Sequence, residues 1–127
     1  MRHLPLFLIV LLLLAGCSTS RWTGTWQAAD SPEHGGDLHC VAKKIGDGKW
    51  KAKFSGYCGR QFVYKIDMDG HEEGEQVAFG GEVDLGEDGG GVYTWTGAMT
   101  GKEFNGEYTT EKGGTGKFEM RNKERQP

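Results

Sequence analysis

Lys49-Trp50-Lys51-Ala52-Lys53-Phe54 decides the fold. Trp50, Ala52 and Phe54 alternate with three lysines, so an extended chain presents one apolar face and one fully charged face. Gly46-Asp47-Gly48, immediately upstream, is a tight hairpin signal. The alternation continues downstream. Phe62, Tyr64, Ile66 and Met68 share one face, with Val63, Lys65 and Asp67 opposite. Val77, Phe79, Val83 and Leu85 share a parity, as do Tyr93, Trp95 and Met99. Phe104 with Tyr108, and Phe118 with Met120, give two more strands. Two less regular strands precede them, near residues 23–28 and 37–45. Glu87-Asp88-Gly89-Gly90-Gly91 and Lys112-Gly113-Gly114 are further turn signals. No segment of this region has a helical period. The expected fold is all-β: about eight antiparallel strands in a meander, forming a closed or nearly closed small barrel.

A short repeat favours curvature. A large apolar residue, any residue and then glycine recurs as Trp22-Thr23-Gly24, Phe54-Ser55-Gly56, Met68-Asp69-Gly70, Phe79-Gly80-Gly81, Trp95-Thr96-Gly97 and Phe104-Asn105-Gly106. Glycine lets a sheet bend sharply, and a neighbouring aromatic covers the bare backbone. The alternative is that these are strand-end turns; both readings lead to a curved sheet.

The first residues read differently. Met1-Arg2-His3 is a short basic start, and the run from Leu4 to Leu14 is apolar apart from Pro5. That run is too short for a permanent membrane span, which needs roughly 20 residues. It has the layout of a secretory signal peptide. Leu14-Ala15-Gly16-Cys17 resembles the lipobox of bacterial prolipoproteins. The resemblance implies cleavage between Gly16 and Cys17, a diacylglycerol on the Cys17 thiol and acylation of the new amino group. Two or more acyl chains anchor stably where one does not. The expected organisation is a signal peptide at 1–16, a lipidated tether at 17–21 and a barrel domain at 22–127. The expected location is the cell membrane or outer membrane, on the side away from the cytoplasm.

Composition narrows the partners. Residues 1–16 carry Arg2 and no acidic residue, so the mature chain is one unit more negative than the whole chain's −3. An acidic balance speaks against nucleic acid, which needs a basic stripe, and against electrostatic docking on anionic lipid. With Cys17 lipidated, Cys40 and Cys58 remain, and in an oxidising compartment they are expected to pair. Such a bridge closes a loop of roughly 17 residues, about 3 kcal/mol in the chain-entropy model.

Gly24-Thr25-Trp26 opens the first strand, and Arg121 follows Phe118-Glu119-Met120 in the last. These features resemble the lipocalin and avidin superfamily of barrels. The resemblance implies that Trp26 plugs the barrel floor with the Arg121 guanidinium stacked on it. No match to the polar set by which avidins hold biotin is present.

Chemistry finds little material. Ser31 and Ser55 lie outside any Gly-x-Ser-x-Gly context, and His39 is expected to face solvent. Cys58 with His71 would form a thiolate pair only if no disulfide formed. The acidic stretch 67–75 reads as a solvated hairpin loop rather than a calcium site, because its spacing departs from the twelve-residue loop. No catalytic residue, metal or cofactor is assigned. The aromatics are the raw material for binding: Trp26, Trp50, Tyr64, Tyr93, Trp95 and Tyr108, with Arg121, either line a ligand site or fill the core, and core filling carries more weight.

The resulting expectation is a non-enzymatic, membrane-anchored binding module for a small apolar or amphipathic ligand or for a protein. One alternative is a protease inhibitor, since Gly24-x-Trp26 followed by paired cysteines is similar to small secreted barrels that inhibit bacterial metalloproteases. The other is a structural envelope lipoprotein.

Overall fold

The computed structural model describes residues 19–31, 33–58 and 61–123. Gly16, Cys17 and the leader lie outside them. Eight strands follow in order: β1 (Thr19–Ala28), β2 (Gly35–Gly46), β3 (Lys49–Cys58), β4 (Gln61–Glu73), β5 (Gln76–Asp84), β6 (Val92–Met99), β7 (Glu103–Thr110) and β8 (Thr115–Asn122). Each is antiparallel to the next, and β1 pairs with β8, so the sheet is a closed up-and-down barrel. A single helical turn, Gly86–Gly89, lies between β5 and β6. It is too short to leave a helical period in the sequence.

Closure follows from the alternation. Every strand has one apolar parity, and cross-strand register brings the apolar parities together: Trp22 pairs with Cys40, Cys40 with Phe54, and Phe54 with Ile66. A one-residue slip would turn a strand's core set outward. The interior is filled by side chains. Trp22, Phe54, Phe104, Phe118, Trp95, Leu38, Ile66, Met68 and Met120 are all fully buried. Phe104 is the hub, with ring centroids of Trp22, Phe54, Phe79 and Phe118 at 5.7, 5.3, 4.9 and 5.8 Å.

Three glycines of the repeat, together with Gly116, are packing devices. Tyr64 lies over Gly56, Phe79 over Gly70, Phe118 over Gly106 and Tyr108 over Gly116, in each case so closely that a Cβ on the glycine would enter the ring. Each is a directly paired cross-strand position. The ring occupies the volume that a second side chain would need, and eight strands leave little more.

Four expectations need correction. Thr19, Ser20 and Arg21, placed in the tether, belong to β1 and pair with Lys43, Ala42 and Val41. Residues 67–73, expected in a loop, continue β4, and the turn is confined to Gly74-Glu75. Outward Asp67 and Asp69 alternate with inward Met68 and Gly70, which is the strand period running on beneath the acidic composition.

Cys40 and Cys58 are not bonded. Cys40 faces the core opposite Phe54, whereas Cys58 is exposed four residues further along β3. At about 3.3 Å per residue the offset is roughly 13 Å, beyond the ~7 Å Cα limit for a bridge. Burial pushes the Cys40 thiol far above its ordinary value, outweighing a hydrogen bond with the Lys53 backbone. With Cys17 lipidated, a thiol reagent is therefore expected to label one cysteine in the native protein and a second only after denaturation. Two rapid equivalents without denaturant would contradict this packing.

Arg121 and Trp26 do not stack. Arg121 pairs with Thr23 on the outer face and is exposed, while Trp26 pairs with Phe118 on the inner face. Met120 carries the inward parity of β8, so its neighbour Arg121 points away.

Candidate functional site

The barrel has two unlike ends. The lower rim holds the start of β1, the end of β8 and the β2–β3, β4–β5 and β6–β7 hairpins. The upper rim holds the connections β1–β2, β3–β4, β5–β6 and β7–β8.

At the lower rim, inward-facing Trp50 and Lys44 are cross-strand partners. Glu72 joins them: Lys44 Nζ lies 3.1 Å from its Oε2, and Trp50 Nε1 donates to the same oxygen at 3.2 Å. Lys44, and then Trp50, hold the Glu72 carboxyl below its ordinary range. Trp50 is thus a cap held by an ion pair and is not part of a site with the other aromatics.

Those others converge on the upper rim. Trp26 meets Tyr64 at 5.8 Å and Tyr108 at 6.5 Å, both edge-on. Trp95 lies 4.8 Å from Tyr108 and 5.9 Å from Tyr64, and Tyr93 lies 5.6 Å from Tyr108. Tyr64, Trp95 and Tyr108 are buried, and half-buried Trp26, Tyr93, Val83 and Leu85 close over them. Trp26 plugs this end, fixed by donation from its Nε1 to the Tyr57 carbonyl at 2.9 Å. Five of the seven residues singled out from sequence therefore meet at one place; Trp50 and Arg121 lie elsewhere.

This cluster has an unmet polar demand. Tyr64 Oη and Trp95 Nε1 are buried and have no hydrogen-bond partner among the described residues. Buried donors without partners cost about 1–3 kcal/mol each and call for an explanation. Burial raises the Tyr64 hydroxyl well above the ordinary tyrosine value, reinforced by Tyr108 and Tyr93, and burial raises Tyr108 in the same direction. The phenols are neutral donors here at any physiological pH. The linkage sign follows: above about pH 10 the unfolded chain loses these protons while the folded barrel retains them. Stability is therefore full below pH 10 and falls as pH rises beyond it. Alkaline denaturation monitored by circular dichroism is expected to show that fall, and Tyr64→Phe is expected to make it shallower.

Outside the barrel the candidate chemistry does not assemble. His39 is exposed, as expected, and packs edge-on against Tyr57 at 5.5 Å. Ser55 lies opposite His39 in the sheet, but no hydrogen bond joins the two. Cys58 is at the upper rim and His71 pairs with Lys49 near the lower one, so they cannot form a thiolate pair. In 67–75, His71 contacts Glu73 at 2.8 Å. No group of three metal-ligating side chains is assembled among the described residues. Nor is any helix among them long and apolar enough to cross a membrane.

No protein-family model, curated protein or solved structure matches the chain.

Proposed function

We propose that this chain is a lipid-anchored, extracytoplasmic, non-enzymatic binding module that receives a small amphipathic ligand at the upper rim of its barrel. The carrying observation is the convergence of Trp26, Tyr64, Tyr93, Trp95 and Tyr108 around two buried donors without partners. Ligand sites are largely apolar with a few placed polar groups, and this end has that composition. The interior below is filled by Phe54, Phe104 and Phe118. The ligand is accordingly small, replaces part of the Trp26, Tyr93 and Leu85 cover, and offers an acceptor to Tyr64 Oη or Trp95 Nε1. Leu14-Ala15-Gly16-Cys17 supports the anchor and the location. The protease-inhibitor alternative loses one of its features, because Cys40 and Cys58 lie apart.

Native mass spectrometry of residues 19–127, with tryptophan fluorescence during titration of fatty acids, short-chain lipids and aromatic alcohols, tests the reading. A co-purifying molecule, or a titration whose affinity drops severalfold in Tyr64→Phe, supports it. No bound mass and an unresponsive spectrum across the panel would leave a protein partner as the better reading.

A further inference from the structure

The outer face of the barrel segregates charge that the composition averages away. Around the upper rim lie Asp30, Glu33, Asp37, Asp84, Glu87, Glu107 and Glu111, with Lys65, Lys112 and Lys117 against them among the described residues. Toward the lower rim, β1–β3 present Arg21, Lys43, Lys49, Lys51 and Lys53, and Lys123 follows β8. Lys51 is tied to Asp69 at 3.7 Å. Arg21, Lys43, Lys53 and Lys123 have no ion-pair partner among the described residues. Among the described residues, the two exposed large hydrophobic ones, Val41 at 45% and Ile45 at 56%, lie on this same face. A groove of about 170 Å³ joins these elements, lined by Arg21, Lys53, Lys123, His39, Ser55 and Val41. Cations around an apolar floor match a phosphate whose remainder is hydrocarbon.

We infer that this face and the lower rim rest on the anionic surface of the membrane bilayer, with the Arg21–Lys53–Lys123 groove holding a lipid phosphate and Ile45 entering the headgroup layer. The inference rests on the reading of Cys17 as the lipid anchor. Cys17 precedes the first residue of β1 by two positions, a reach of at most about 7 Å. An anchor there brings the lower rim to the headgroups and keeps the upper rim a strand's length away. The acidic carboxylates are then repelled outward while the unpaired cations face the lipid, so tether and field select the same orientation. Glu73, Glu75 and Glu103 lie on the rest of this rim, so the contact is its β1–β3 side and not its whole circumference. The acidic groups within or beside that side are Asp47 in the β2–β3 turn and, on β4, Asp67 and Asp69, the cross-strand partners of Lys53 and Lys51.

The test uses the full lipidated chain in vesicles of phosphatidylcholine, with or without phosphatidylglycerol. An environment-sensitive dye is placed at position 45 (Ile45→Cys with Cys58→Ser) or on native Cys58 as an upper-rim reference. On phosphatidylglycerol vesicles the dye at 45 is expected to shift to the blue and to be shielded severalfold from aqueous iodide. High salt is expected to reverse this, and the dye on Cys58 to remain accessible throughout. Arg21→Glu with Lys53→Glu is expected to abolish the shielding while the protein stays on the vesicles. Equal quenching at both sites on both lipids, with intact mass showing lipid on Cys17, overturns the docking and leaves the anchor standing. A mass without lipid on Cys17 overturns the anchor and the docking together.

Discussion

Phe104→Ala is expected to cost about 3–5 kcal/mol of folding free energy, the range for a buried aromatic truncated in a well-packed core. Phe104 is fully buried and touches four other rings, contributed by β1, β3, β5 and β8. Its removal loses contacts to all four walls at once. Rings this size cannot collapse into the void without moving strands that are hydrogen-bonded on both sides. A domain of this length has a stability of about 5–15 kcal/mol, so the loss is a large fraction of the whole. Thermal unfolding is expected to shift down by roughly 15–30 °C. A shift under about 5 °C would mean that the centre of the barrel is more loosely filled than the ring distances indicate.

Gly24→Ala is the second large effect, and its cause lies in the backbone. A Cβ at Gly24 would coincide with the carbonyl oxygen of Glu119 and lie 2.6 Å from Met120 Cα, both in the main chain of β8. Overpacking a core commonly costs about 1–3 kcal/mol because side chains can move aside. Here the obstacle is the strand that closes the barrel, so a loss of about 3 kcal/mol or more is expected. Gly46→Ala is the control. Nothing lies within 4 Å of where a Cβ would stand there, and a change within about 0.5 kcal/mol is expected at such a surface site. Urea denaturation of the two variants side by side checks the contrast, and equal midpoints would refute the close approach of β1 and β8.

These two positions also show what was legible in the sequence. Period-2 alternation is written into almost every strand, so strand number, inward parity and the meander could be read directly. Trp50–Phe54 and Tyr64–Met68 carry that signal without interruption. Gly24-Thr25-Trp26 was legible as a motif, but its physical reason was not. Gly24 is required by contact with β8, whose backbone approaches from about a hundred residues away in the chain. Trp26 fills one end, yet Arg121 cannot reach it because register places the two on opposite faces. Register also separates Cys40 from Cys58, which cysteine counting could not foresee. The aromatic cluster was half legible. Residue type picked out Tyr64, Tyr93, Trp95 and Tyr108, but only their position along each strand reveals that they share the upper rim while Trp50 lies at the lower. The orphaned Tyr64 and Trp95 donors leave no trace in sequence, since satisfaction of a polar group depends on every neighbour at once.

Closing the barrel with β1 and β8 has a kinetic meaning. This is the pairing of greatest sequence separation in the chain, and such contacts form late because the intervening loop entropy is lost before they are gained. Until β8 is in place, β1 and β7 each expose an unpaired edge to other chains. A chain that stops short of β8 is then an open, sticky sheet rather than a smaller barrel, and the last eight strand residues decide whether everything before them stays soluble.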